Sequence, residues 1–84
     1  MNIVFKGPSF YCQEDEAVFF NWIQSLPEYS ELVGEVRDLH LTMKEPISEA
    51  SVIQLLTIFM RWNIKTKPLE QLKSKENENH YLWK

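Results

Sequence analysis

The sequence predicts an α+β fold: a two-layer sandwich in which a small, mostly antiparallel sheet carries two helices on one face. The order is ferredoxin-like, β-α-β(β)-α-β, in a single domain over residues 1–84. Three observations carry this prediction. Phe19, Trp22, Ile23 and Leu26 recur at i, i+3, i+4 and i+7, and Val52, Leu55, Leu56 and Phe59 repeat that helical spacing later in the chain. Between them Leu39, Leu41 and Met43 alternate with His40 and Thr42 at the period of a half-buried strand. The chain has 84 residues, 44% of them hydrophobic, and only Ala17 and Ala50 are alanines. At this length folding removes only about 60% of the chain's surface from water, so large side chains must fill one core and there is no second.

Asn2 to Lys6 reads as the first strand, an Ile3-Val4-Phe5 run closed by the breaker pair Gly7-Pro8. A helix is expected from about Glu14 to Ser25, with Glu14, Asp15 and Glu16 at the positive end of its dipole and Pro27 ending it. Tyr29 to Met43 is too long for one ordinary strand. Two strands joined by a tight turn near Arg37-Asp38 are preferred to one strand bent by a bulge at Gly34. The second helix has the clearest start, with Ser48 as N-cap, Glu49 in the first turn, and Ile47 placed to pack on Val52. Asn63 is placed for a left-handed C-terminal cap after Arg61. Ile64 to Thr66 is expected as a short last strand, followed by cover from Leu69 and Leu72. Ser74 to Asn79 reads as a turn, and Tyr81, Leu82 and Trp83 dock on an edge or over an open end of the core.

Several chemistries are excluded or left without a motif. Gly7 and Gly34 are the only glycines and lie far apart, so no phosphate-cradling loop exists. A single Cys12 forms no internal disulfide and no multi-cysteine zinc site. His40 and His80 have no partner at ligand spacing, which predicts no metal and no cofactor. Neither Cys12 nor a histidine lies in a nucleophile-and-base motif; Cys12 reads as a small buried residue near a helix start. The Glu14-Asp15-Glu16 run reads as helix capping, because a helix N-terminus ionises all three where acid–base catalysis needs two different pKa values. The sequence therefore predicts no enzymatic activity and no catalytic residue. A site assembled between two copies around His40 or Cys12 is the enzymatic arrangement it leaves open.

The N-terminus lacks the apolar run of a signal peptide, and no stretch approaches a membrane span. With its lone cysteine the protein is expected to be soluble and cytoplasmic, without a membrane partner. The net charge of −3 divides unevenly: residues 1–60 carry three basic and nine acidic side chains, net −6, and residues 61–84 carry six basic and three acidic, net +3. Glu28, Tyr29, Glu31, Glu35 and Asp38 are expected to form an acidic surface edged by an aromatic, suited to a basic protein partner. The alternative is a nucleic-acid-associated domain using the basic last third, where Arg61, Lys65, Lys67, Lys73 and Lys75 accompany Trp62. The overall acidity opposes that reading. An exposed edge strand would also offer a route to a homodimer.

FFNWIQSLPEY (residues 19–29), DLHLTMKEPIS (38–48), RWNIKTKPLEQL (61–72) and YLW (81–83) together resemble the layout of small uncharacterised bacterial proteins. In size, acidity and lack of a catalytic motif the chain is also similar to immunity proteins that neutralise bacterial toxins. That resemblance implies a bacterial immunity protein or antitoxin acting by protein binding; it assigns no role to individual residues.

Overall fold

The structure is a computed structural model and describes residues 1–83. Its elements are β1 (Asn2–Lys6), α1 (Gln13–Gln24), β2 (Tyr29–Glu35), β3 (Asp38–Met43) and α2 (Glu49–Arg61), then two short 3-10 helices at Lys67–Leu72 and Tyr81–Trp83. The sheet order is β1-β3-β2, both pairings antiparallel. The parallel strands β1 and β2 therefore flank β3, and α1 crosses from one to the other as in the expected α+β sandwich.

Alternation sets the two faces. Ile3 and Phe5 of β1 and Leu41 and Met43 of β3 point into the core. There they meet Phe19 and Ile23 of α1 and Val52, Leu55, Leu56 and Phe59 of α2. Phe5 packs tilted on Phe59 at 4.7 Å between ring centroids, joining sheet to helix. Both helices occupy this face.

Local chemistry explains how α2 is bounded. Ser48 accepts a hydrogen bond from the Ser51 backbone N–H, and Ile47 packs against the core as the staple residue. At the other end Asn63 stands at φ 60°. The Ile64 N–H donates to the Phe59 carbonyl (2.7 Å) and the Asn63 N–H to the Met60 carbonyl (3.3 Å), the paired bonds of a Schellman motif. The helices are tied to each other by their indoles. Trp22 of α1 donates to Gln54 of α2 (3.0 Å), and Trp62 at the end of α2 donates to Asp15 of α1 (2.9 Å).

Two expectations are corrected. Ile64 to Thr66 forms no strand. The left-handed Asn63 turns the chain sharply, and Thr66 already has helical angles, its carbonyl accepting from the Leu69 N–H. Pro68 then opens the 3-10 helix that buries Leu69 beside β1. Tyr29 to Met43 forms two strands, as expected, joined at Val36-Arg37, and β2 has an irregularity between Tyr29 and Glu31. Cys12 is exposed, being the N-cap residue of α1 rather than a core residue. The chain between Ser74 and Asn79 is a turn organised by Asn77, and Leu82 docks the C-terminal residues over the end of the core.

Candidate protein-binding surface

Helices cover one sheet face; the other carries three cross-strand rows. Asn2, Thr42 and Glu31 form the first, Val4, His40 and Val33 the second, and Lys6, Asp38 and Glu35 the third. Val4 and Val33 are 41% and 43% exposed on either side of a half-buried His40. Strand geometry thus gathers Glu31, Glu35 and Asp38 onto one open face, with Glu35 directly opposite Asp38. Like charges in that position repel. None of the three is in an ion pair: among the described residues the one salt bridge joins the Met1 amino group to Glu45 at 3.8 Å.

The hairpin tip adds to this surface. Val36, the first loop residue between β2 and β3, is fully exposed at φ 57°. A β-branched side chain is disfavoured there, and the position suits glycine in a two-residue hairpin turn. An apolar side chain is therefore held in water on a strained backbone, near the carboxylates of Glu35 and Asp38.

Glu28 and Tyr29 lie apart from this face. Glu28 reaches the start of α2, where its carboxylate accepts from the Ser51 hydroxyl (2.5 Å) and from the Ser48 backbone N–H (3.2 Å). The Ser51 hydrogen bond, helped by Ser48 and opposed by burial, holds the Glu28 carboxyl below the usual glutamate range. Tyr29 pairs with the buried Met43 and packs half-buried against the core. The predicted set thus divides into a surface group of Glu31, Glu35 and Asp38 and a structural pair. Linear sequence could not separate them, because the irregularity between Tyr29 and Glu31 resets which side chains share a face.

A larger concavity lies elsewhere. A groove of about 820 Å³ runs between the start of α1 and the end of α2, lined in part by Tyr11, Asp15, Trp22, Arg61 and Trp62. Its carboxylate and both indoles are already engaged. Asp15 accepts from Trp62 and from the Tyr11 N–H, and Trp22 donates to Gln54. Ser9, Asn63 and Arg61 also line the groove, but it holds no cluster of like charge, and the acidic face, which gathers three carboxylates, is taken as the candidate despite its flatter shape. In the basic last third, Trp62 packs edge-on against Phe19, while the Trp83 indole donates to the Asn77 carbonyl with Lys73 over its ring. These aromatics are engaged within the fold.

Among the described residues no three His, Cys, Asp or Glu side chains gather into a metal-sized cluster, and no helix is long and apolar enough to cross a membrane. Comparison with protein-family models, curated proteins and solved structures finds no match to this chain.

Proposed function

We propose that this is a non-enzymatic, cytoplasmic protein-binding domain that captures a basic protein partner through the open face of its sheet. It would act in the manner of a bacterial immunity protein or antitoxin. The observation that carries the reading is the register that puts Glu31, Glu35 and Asp38 together on one uncovered face, where Lys6 opposite Asp38 is the one lysine of the three rows and, among the described residues, none of these carboxylates is in an ion pair. Surfaces of this kind steer oppositely charged proteins and set their orientation.

The test is fluorescence anisotropy with a labelled oligolysine peptide over a range of salt. Glu31→Lys with Glu35→Lys should abolish the salt-sensitive binding with little change in melting temperature. Glu76→Lys with Glu78→Lys makes the same charge change on the exposed turn after the first 3-10 helix and should leave most binding intact. Equal losses from the two double variants would reduce the effect to net charge and overturn the surface assignment. Salt-dependent binding of single-stranded oligonucleotides in place of the peptide would favour a nucleic-acid role instead.

A further inference from the structure

We propose that the basic partner is bound by strand addition: an extended segment with the pattern cation-x-apolar-x-cation pairs along the outer edge of β2 and continues the sheet. This rests on the acidic-face reading above and specifies its mode. In the antiparallel β2–β3 ladder Glu31, Val33 and Glu35 face Thr42, His40 and Asp38, and Leu32 and Gly34 alternate with them. The other set of β3 residues bonds to β1, since the Met43 N–H donates to the Met1 carbonyl and the Gly7 N–H to the Arg37 carbonyl. Glu31, Val33 and Glu35 therefore bond inward to β3, and the backbone groups of Leu32 and Gly34 point outward. Neither Leu32 nor Gly34 makes any other hydrogen bond among the described residues, and no strand lies beyond them. Gly34 adds no side chain to obstruct an approach: a Cβ there would meet only Leu39, at 3.7 Å.

The chemistry of the occupant follows from the row it would extend. A strand hydrogen-bonded to Leu32 and Gly34 sets three alternate side chains beside Glu31, Val33 and Glu35. The matching sequence is basic, apolar, basic at every second residue. A second copy of the chain fits poorly. Two β2 strands paired with Val33 on Val33 set Glu31 against Glu35 twice, and a shift of two residues in either direction faces Val33 with a carboxylate. The β1 edge of another copy is flanked by the Lys67–Leu72 helix. Charge and shape thus select a different protein.

The probe is a nonapeptide whose third, fifth and seventh residues are lysine, valine and lysine among threonines. Its control has the same composition with the two lysines adjacent. Proline at position 34 removes only an outward N–H and retains every acidic side chain, and edge strands tolerate it. The patterned peptide should bind the full chain about tenfold more tightly than the control, and Gly34→Pro should cost about tenfold in affinity. In the unaltered protein, peptide should slow hydrogen exchange at the Leu32 and Gly34 amides more than elsewhere in β2, a readout that holds even if the proline variant folds poorly. Loss of binding in Glu31→Lys/Glu35→Lys alongside full binding in folded Gly34→Pro, with no protection at Leu32 and Gly34, would overturn strand addition and leave the charge reading standing. Binding unaffected by either variant would overturn both. Equal affinity for the two peptides would overturn the pattern, and protection of Leu32 and Gly34 by self-association without peptide would make a second copy the occupant.

Discussion

The two flanks of the sheet are finished in opposite ways. At the β1 side Lys6, at the end of the strand, joins Lys65 and Lys67 in lining a pocket of about 450 Å³, and the Lys67–Leu72 helix packs alongside with Leu69 fully buried. Beyond β2 lies no further strand, and the adjoining open face carries Glu31 and Glu35. A basic edge and an acidic edge on one small sheet invite head-to-tail stacking of copies into an open filament. The Lys67–Leu72 helix lies beside the β1 edge, where it would hinder that stacking, and among the described residues no strand lies beyond β2. The last third of the chain thus sets a helix against the first strand.

The largest test of this contrast removes the buried anchor of that helix. Leu69→Ala should destabilise the fold by about 2–5 kcal/mol in urea denaturation. It should also give concentration-dependent assembly in sedimentation, as β1 loses its neighbour. A soluble monomer at every concentration would show that the helix does not protect the edge.

Asn77→Ala attacks the same flank from the turn. This nearly buried amide donates to Glu49 (2.7 Å) and to the Leu72 carbonyl (3.1 Å) and accepts from the Ser74 N–H (2.9 Å). Its loss should cost about 1–3 kcal/mol, measured as a lowered urea midpoint. It should also loosen Trp83 before the core, read as an earlier change in tryptophan fluorescence.

Glu28→Gln reports on the join between hairpin and α2. It should cost about 1 kcal/mol at neutral pH through weaker hydrogen bonds to Ser51 and Ser48. The carboxyl is shifted downward on folding, so its stabilisation is complete above the ordinary glutamate range near pH ~4 and is lost as pH falls through the lower folded value. The difference between Glu28→Gln and the unaltered protein should therefore shrink in acid. A difference constant with pH would mean that the carboxylate charge contributes nothing there.

The smallest effect belongs to the acidic flank's tip. Val36→Gly should stabilise the protein by about 0.5–1 kcal/mol by relieving the positive φ. Partner binding should weaken if the exposed valine is part of the contact surface.

Much of this architecture could be read from the residues. Ser48, Ile47 and Asn63 marked both ends of α2, because capping and left-handed turns depend on neighbours a few positions away. The alternation of Leu39, Leu41 and Met43 marked β3 for the same reason. Ile64 to Thr66 misled: three residues of strand composition adopt no strand when an αL residue precedes them and a proline-led helix follows. The acidic surface was half legible. Glu31, Glu35 and Asp38 share a face through period-two geometry, but the irregularity between Tyr29 and Glu31 removed Tyr29 from it. Glu28 was taken by hydroxyl and amide donors twenty residues away.

By itself the sequence determined the two α-helices, the two-sided character of the sheet and the opposite charges of the first 60 residues and the last 24. Those properties follow from local periodicity and composition, which need no knowledge of what folds beside what. Only the tertiary structure decided that β3 lies between β1 and β2, that the Lys67–Leu72 helix lies beside β1, and that the backbone of Leu32 and Gly34 faces outward. Strand order and edge exposure depend on pairings between distant residues, and a linear pattern carries no distance information with which to choose among them.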